Sequence, residues 1–309
     1  MDQPISKSDL EFMLEKYRKF HTDGRPASYI PALGLADPSI AGISICLNNG
    51  DEIHAGSFNF NFTIQSISKV LALICVLSDY GLDYVSQKVG LEPAREAFNS
   101  LLLLELDNGP ALFNPLSNPG AMVVTSLLRG SSEDKLQQLL NLAEKLAGRS
   151  GVIWDEEVYR SEKLTGYRNK AAVNLLKEQG TIEGDPEEVL DLYFRQCSIK
   201  LNCKDLARIA CVIGLDGVDP ETGESLFPRE AARNIRTIMA TYGMYNQSGS
   251  FALKIGLPSK SGVAGGIMSV VPKKMGIAVY NASVNEIGNS VVGLRILEHL
   301  SRELDLSIY

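Results

Sequence analysis

Ser66 and Lys69 form the strongest chemical signal in this sequence, because they stand three residues apart where a strand-like segment meets an apolar helix. Residues three apart on a helix share a face, so the Lys69 amine can reach the Ser66 hydroxyl. This is the layout of serine acyl-transfer enzymes that use lysine as the base. The N-terminus of a helix also offers free N–H groups to a developing oxyanion. The pair therefore predicts acyl transfer through a serine.

The same Ser-x-x-Lys pattern occurs a second time, over 132–135, and the surroundings separate the two matches. Two acidic residues follow the second serine, which is typical of a solvated helix start capped by Ser131 or Ser132. Lys69 instead precedes the apolar run 70–77, so its helix is expected to be buried. A buried lysine must be neutral or paired, because desolvation disfavours the ammonium. Lys69 is therefore either a neutral base or one half of a buried ion pair.

Length and composition favour one large domain or two ordinary ones, since the chain has 309 residues of which 45% are apolar. A net charge of −7 argues against nucleic acid and against an anionic membrane as partners. Residues 1–20 are charged throughout and do not resemble a signal peptide. The longest apolar stretch, 70–77, is too short to span a bilayer. We therefore expect a soluble, cytoplasmic protein.

Cysteine and histidine usage gives no indication of a metal or cofactor. Five cysteines, an odd number without a C-x-x-C motif, fit reduced thiols in the core. Only three histidines are present, so no zinc site is expected. His21, His54 and His299 could each act as a triad base, but none has a supporting pattern around it. Lysine-based catalysis is therefore favoured over histidine-based catalysis.

Hydrophobic periodicity predicts the elements that position the serine. The predicted strands are 41–47, 51–55, 251–256, 265–271 and 275–282. The predicted helices are 8–20, 66–80, 83–98, 121–129, 133–147, 155–164, 168–179, 186–195, 203–214, 228–240 and 288–304. Asn49-Gly50, between the first two strands, predicts a hairpin with a type I′ turn.

The order of these elements predicts an α/β fold of the α+β type. Two early and three late strands combine most simply into one antiparallel sheet, flanked by terminal helices, with a large all-helical insert. We expect a single domain over 1–309, with a sheet lobe of 1–65 plus 241–309 and a helical lobe of 66–240. Ser66 then lies at the junction of the lobes, where small ligands usually bind.

A second candidate element, Lys260-Ser261-Gly262, follows the helical insert. It matches the Lys-Thr-Gly element of penicillin-recognising enzymes. Glycine there lets a substrate approach the backbone, whose N–H groups can then stabilise an oxyanion. The alternative is an ordinary glycine-rich bulge or turn. A buried Ser-x-x-Lys followed by Lys-Ser-Gly, on either side of a helical insert, is a stronger signal than either motif alone.

Seven motifs in order carry a resemblance to a known family. They are YIPAL (29–33), FTIQSISK (62–69), EKLTGYRN (162–169), YFRQCS (193–198), GMYNQSG (243–249), KSGVAGGI (260–267) and GNS (288–290). Together they resemble the bacterial glutaminases of the serine-dependent, β-lactamase-like superfamily, over about residues 29–296. The resemblance implies a β-lactamase-like fold and hydrolysis of L-glutamine to L-glutamate and ammonia. It also implies a homo-oligomer that needs neither metal nor cofactor.

The resemblance also implies roles for individual residues. Ser66 is implied as the nucleophile, Lys69 as its base, and Tyr29 and Tyr245 as hydroxyls beside the reacting amide. Val263 is implied as a backbone contact to the amide oxygen. The residues implied to hold the amino-acid end of glutamine are Asn118, Glu162, Asn169 and Tyr193.

The chemistry of these side chains fits such a substrate. Glu162 can pair with an α-ammonium, while Asn169 and Tyr193 can donate to a carboxylate. The N–H groups of Ser66 and Val263 are expected to stabilise the oxyanion. Taken singly, Glu162 could equally be a solvated helix residue, and the tyrosines could be core aromatics with a polar tip.

Lys69 must be neutral to act as a base, so something in the site must lower its pKa. An unperturbed lysine is mostly protonated at neutral pH. Burial or a nearby cation must lower the pKa of Lys69, and Lys260 is the expected cation. Tyr245 is expected to relay a proton to the departing ammonia.

Departures from the family pattern occur at three places, and none removes a reactive group. They are Asn246 where Asp is usual, Pro119 after Asn118, and Ser259 before Lys260. Two other functions remain open at this point. One is a penicillin-recognising hydrolase or peptidase, whose usual export signal and Ser-x-Asn element are absent. The other is a catalytically dead ligand-binding protein, which would be expected to have lost Ser66 or Lys69.

Overall fold

The computed structural model describes residues 5–91 and 113–309, and an antiparallel sheet organises them. The strands are β1 (Ala41–Leu47), β2 (Glu52–Gly56), β3 (Phe62–Thr63), β4 (Lys200–Leu201), β5 (Ser259–Ser261), β6 (Gly266–Val271) and β7 (Met275–Asn281). Five of them form one sheet in the order β2-β1-β7-β6-β5, while β3 and β4 pair separately. The predicted union of two early and three late strands in one antiparallel sheet is confirmed.

Helices occupy most of the chain between β3 and β5, as the periodicity predicted. The α-helices are Lys7–Arg18, Ser68–Lys88, Asn118–Ser126, Ser132–Ala147, Glu156–Thr165, Tyr167–Glu178, Pro186–Cys197, Cys203–Gly214, Arg229–Tyr242, Ser248–Lys254 and Val291–Glu303. Ser131 caps the helix that carries the second Ser-x-x-Lys match, which confirms a solvated helix start there. The predicted helix 83–98 corresponds to the part of Ser68–Lys88 beyond the non-helical Gly81. Its predicted extent is wrong over 89–91, because the helix ends at Lys88 and Val89 is extended, and residues 92–98 lie outside the described part of the chain.

The β1–β2 hairpin was predicted in the correct place but with the wrong turn. Leu47 N–H donates to the Asp51 carbonyl over 2.8 Å, so the connection has three residues rather than two. Gly50 has a φ of +88°, whereas Asn49 does not adopt a positive φ. A type I′ turn needs positive φ at both central residues. The geometry instead fits a type I turn followed by a left-handed glycine.

The predicted strand 251–256 is wrong, because this segment belongs mainly to the helix Ser248–Lys254. Phe251 is buried and Leu253 is exposed, and a short apolar run of this kind does not distinguish a helix from a strand. The missing fifth strand is Ser259–Ser261, where Lys260 lies opposite Met268 of β6. Its polar sequence carries no strand signal, although all three residues are fully buried.

Helices cover both faces of the sheet, and alternate residues of β7 show this. Ile277 and Val279 join an apolar cluster with the first and last helices of the chain. Ala278 and Tyr280 join a second cluster, together with the helix Cys203–Gly214. Gly276 permits the close approach of that helix, since a Cβ there would lie 2.0 Å from the Ala207 carbonyl oxygen. The predicted boundaries of the two lobes stay a prediction.

The helix Ser68–Lys88 runs through the core, and its first ten residues are all buried. Among the residues that the structure describes, the stretch Gln65–Lys88 is the one that has the length and composition of a membrane span. Most of this stretch is buried inside the protein, which is typical of a core helix. The buried start of this stretch carries Ser66 and Lys69.

Candidate active site

Ser66 lies in a short 3-10 turn, Gln65–Ile67, that leads directly into the core helix. Gln65 has a φ of +48°, a left-handed conformation that is uncommon for a residue other than glycine. Gly262 packs against this turn, and a Cβ there would lie 2.4 Å from the Ile64 carbonyl oxygen. The glycine after β5 therefore allows the Lys-Ser-Gly element to lie beside Ser66, as the motif order predicted.

Lys69 is fully buried and is held by two acceptors. Its Nζ donates to the Leu116 carbonyl oxygen over 3.0 Å and to Asn118 Oδ1 over 2.7 Å. Burial lowers the pKa of Lys69 to about 8. Among the described residues no carboxylate lies within ion-pair distance of Lys69, so the alternative of a buried ion pair is not supported.

Asn118 connects several of the predicted residues. Its Oδ1 accepts from Lys69 and also from the Tyr193 hydroxyl over 3.3 Å, while its Nδ2 donates to Asn169 Oδ1 over 3.1 Å. Ser117 caps this helix, and Pro119 fits within its first turn, where proline is well tolerated. The proline that departs from the family pattern is thus compatible with the Asn118 contacts.

Glu162 is a buried carboxyl group on the helix Glu156–Thr165. Its side chain faces the cavity described below, and its Oε2 has no hydrogen-bond partner among the described residues. Burial raises the pKa of Glu162 to about 8, against the opposing attraction of Lys69. The alternative of a solvated helix residue is therefore wrong. A buried carboxyl oxygen without a protein partner calls for an explanation, and a water molecule or a ligand would supply one.

Tyr245 is buried beside Ser66 in an unusual backbone conformation. Its φ is +53°, and its hydroxyl donates to the Ser261 carbonyl oxygen over 3.1 Å. A second hydrogen bond joins this hydroxyl to the Ser66 side chain, and burial raises the pKa of Tyr245 to about 12. The phenol is thus protonated at neutral pH and close to the candidate nucleophile.

Lys260 is fully buried, but its role differs from the expected one. Its Nζ donates to the carbonyl oxygens of Gly243 (3.1 Å) and Ser261 (2.6 Å). Burial is the largest cause that holds the pKa of Lys260 well below its usual value, and the nearby Lys69 adds to the effect. The expectation that a cationic Lys260 lowers the pKa of Lys69 is therefore wrong. Burial is the main cause of the lowered pKa of both lysines.

A cavity of about 870 Å³ opens next to these groups. Five of the predicted residues line it: Tyr29, Asn118, Glu162, Asn169 and Val263. Tyr29 is 64% exposed as a whole residue, but burial raises the pKa of its hydroxyl, which lies near Tyr245 and Glu162. Ser66, Lys69 and Tyr193 are buried. Within the described ranges the Val263 N–H has no hydrogen-bond acceptor, which leaves it available to a ligand.

Sequence reasoning missed Asn285, which shapes one wall of the cavity. Its Oδ1 accepts from the N–H groups of Ile287, Gly288 and Asn289, each over 3.1 Å. Gly288 has a φ of +102° and lies against Val263. An asparagine two or three residues before a glycine is a usual turn signal, and only that signal could have indicated the loop.

The histidines take no part in this arrangement, whereas the Cys197 thiol interacts with Tyr193 and Lys69. His54 is hydrogen-bonded to Ser44 over 2.8 Å, and His299 to Tyr17 over 2.9 Å. All five cysteines are buried and unpaired in disulfides, as expected for reduced thiols. In the part of the chain that the structure describes, no three His, Cys, Asp or Glu side chains converge as metal ligands would.

The fold and the site define a class of protein. An antiparallel sheet between helices, with a serine and a lysine at the start of a core helix, is the architecture of the β-lactamase-like hydrolases. The chain belongs to the glutaminase family, since the family model for glutaminase matches residues 24–309. Family membership makes it an amidohydrolase.

Sequence relatives and solved structures agree with this family. The chain is 47% identical to a glutaminase of Clostridium tetani, covering 99% of this chain and all of that one. It is 46% identical to one of Clostridium botulinum, over 97% and 99% of the two chains. A Bacillus subtilis glutaminase in covalent complex with 5-oxo-L-norleucine superposes with a TM-score of 0.90. It is 38% identical and covers 98% of this chain and 99% of that one.

Proposed function

We propose that the chain hydrolyses L-glutamine to L-glutamate and ammonia through a Ser66 acyl-enzyme, with Lys69 as the base. The observation that carries the proposal is the environment of Lys69, a buried amine with a pKa of about 8 and two fixed acceptors. A neutral amine has two hydrogens and one lone pair. The Leu116 and Asn118 oxygens engage both hydrogens, so the lone pair remains for the proton of a nearby hydroxyl.

The substrate's amino-acid end binds at the cavity wall. The Glu162 carboxylate, which lines the cavity, receives the α-ammonium, and this positive charge stabilises the ionised form that burial otherwise disfavours. Asn169 uses its Oδ1 on Asn118, so its Nδ2 is left for the α-carboxylate. The Tyr193 hydroxyl makes a long 3.3 Å bond to Asn118, which a carboxylate oxygen can replace.

The reacting amide then lies beside Ser66 and Tyr245. Ser66 Oγ attacks the side-chain carbonyl carbon while Lys69 takes its proton, and the N–H groups of Ser66 and Val263 stabilise the oxyanion. The C–N bond breaks, and Tyr245 relays the proton to the leaving ammonia. Water attacks the glutamyl ester with Lys69 again as base, and Ser66 recovers its proton as glutamate leaves. Tyr29, which also lines the cavity, places a second hydroxyl near the amide.

We also propose a cytoplasmic location and a homo-oligomer. Five buried cysteines without a disulfide fit a reducing compartment. The resemblance to bacterial glutaminases supports self-association. Light scattering coupled to gel filtration measures the oligomer directly.

Active-site labelling tests the assignment of the nucleophile. The Bacillus subtilis relative forms its covalent complex by reaction with 6-diazo-5-oxo-L-norleucine. The same reagent is expected to add its mass to the peptide that contains Ser66, and Ser66→Ala should abolish labelling. Ser132→Ala, in the other Ser-x-x-Lys match, is the matched control and should label like the parent. A label on Ser132 or on a cysteine would overturn the proposal.

Substrate comparison separates the other functions. Ammonia release from glutamine, with asparagine and a cephalosporin as comparison substrates, distinguishes a glutaminase from a penicillin-recognising hydrolase. No turnover of any of the three would favour a ligand-binding protein.

A further inference from the structure

Gln247 joins two segments that border the site. Its Oε1 accepts from Asn285 Nδ2 over 3.0 Å and from Asn289 Nδ2 over 2.6 Å. Asn289 is completely buried, so its amide depends on protein acceptors. Gln247 itself is the last residue of the 3-10 turn Tyr245–Gln247. One side-chain oxygen thus ties the Tyr245 turn to the loop that carries the two asparagines.

Both tied segments are adjacent to the reacting groups. The Asn285 loop forms a wall of the cavity, and its Gly288 lies close to Val263 and to the Tyr245 ring. Asn289 Nδ2 also donates to the Met244 carbonyl oxygen over 3.3 Å, immediately before Tyr245. The network therefore contacts the tyrosine turn from both of its ends.

The Tyr245 turn needs such support because of its backbone. A φ of +53° is unfavourable for a tyrosine and persists only when surrounding contacts enforce it. This conformation accompanies the placement of the hydroxyl between Ser66 and the Ser261 carbonyl. If the turn relaxed to a negative φ, the phenol would leave that position.

We propose that Gln247 is a positioning residue for the reaction: its side-chain oxygen keeps Tyr245 in the conformation that places the hydroxyl at Ser66. The inference rests on the proposed role of Tyr245 in proton transfer. Gln247 is not among the residues that line the cavity, so its effect is expected to pass through Tyr245 and not through substrate binding.

Two substitutions distinguish the effect of the hydrogen-bond acceptor of Gln247 from the effect of its side-chain size. Gln247→Glu keeps an oxygen for both amides, and the half-buried position tolerates a charge. Gln247→Met keeps the length but removes the acceptor. We expect Gln247→Met to lower kcat by about 10- to 100-fold with little change in KM, as for a misplaced catalytic group. Gln247→Glu should restore most of the parent kcat.

The decisive measurement combines Gln247→Met with Tyr245→Phe in a double-mutant cycle. If Gln247 acts through the phenol, its substitution should cause no further loss of kcat once the hydroxyl is absent. Equal losses of kcat in both backgrounds would overturn the inference, and so would a raised KM with an unchanged kcat. If Tyr245→Phe alone keeps the parent activity, the proposed function of Tyr245 fails instead.

Folding is checked independently by thermal unfolding of each variant. Should Gln247→Met fail to fold, Gln247→Asn withdraws the acceptor by one methylene and keeps the amide. It is expected to show the same selective loss of kcat, and parent-like kcat in Gln247→Asn would count against the inference.

Discussion

Glu162→Gln offers the sharpest test of how the cavity selects its ligand. The substitution keeps the size of the side chain and removes its charge. Oε2 has no partner among the described residues, so no described hydrogen bond of that oxygen is lost. Any change in substrate recognition should then report the interaction with the ligand.

The expected magnitude follows from two opposing terms. A hydrogen bond to a charged group contributes about 1.5–3 kcal/mol, or roughly 10- to 150-fold in affinity. With a pKa of about 8, Glu162 must first be ionised at pH 7, which costs about 1.4 kcal/mol. The net loss in Glu162→Gln should therefore be about 15-fold at most at pH 7 and should reach the full value near pH 9.

Steady-state ammonia release measures the effect with glutamine and with α-N-acetylglutamine at pH 7, 8 and 9. Glu162→Gln should raise KM for glutamine and narrow the difference between the two substrates. Because KM equals Kd only when chemistry is slow, calorimetry in a Ser66→Ala background should give the same ratio. Glu157→Gln makes the same chemical change at an exposed position of the same helix and should behave like the parent.

Two further comparisons complete this test. Asn169→Ala should weaken carboxylate recognition while leaving the preference for a free amine intact. The pKa of Glu162 is raised in the folded state, so its burial destabilises the protein as pH rises from about 4.5 towards 8. Glu162→Gln should therefore melt at a higher temperature than the parent at pH 8, with a smaller gap at pH 5. If the variant distinguished free from acetylated glutamine as well as the parent at pH 9, the assignment of Glu162 would be refuted.

Three other outcomes are expected. Lys69→Arg should fold but lose nearly all activity, since a guanidinium does not deprotonate in proteins, and an active variant would exclude the base role. The kcat/KM for glutamine should rise as the pH passes through about 8, because Lys69 and Glu162 both lose protons there, and a flat profile from pH 6 to 9 would contradict this. Gly243→Ala should lower the free energy of unfolding by about 1–3 kcal/mol, because its Cβ would lie 1.7 Å from the Ser259 carbonyl oxygen. Gly249→Ala, where nothing lies within 4 Å, is its control in urea unfolding and should not destabilise.

The placements predicted correctly from the sequence are those that depend on neighbouring positions in the chain. Ser66 and Lys69 share a helix start, and the apolar run after Lys69 indicated burial without any tertiary information. The acceptors of Lys69 could not be predicted in this way. Leu116 contributes a backbone oxygen from 47 positions away, and no residue type signals such a contact.

Strand prediction failed at a segment whose side chains are polar although they are buried. Ser259–Ser261 is a polar strand buried on both faces, so its pattern resembles a loop. Its burial is explained by the site, since Lys260 donates to two carbonyl oxygens and Ser261 accepts from Tyr245. Hydrophobic periodicity predicts the helices and strands that form the apolar core. It is least informative for Ser259–Ser261, the polar strand that forms part of the site.

The charges in the site indicate how binding could prepare the base. A protonated Lys69 disfavours protonation of Lys260, while the Glu162 carboxylate attracts the Lys69 proton and raises the pKa of Lys69. A bound α-ammonium would neutralise that attraction. The neutral form of Lys69 should then be favoured when a substrate with a free amine occupies the cavity, so that Glu162 links recognition of the amine to activation of Ser66.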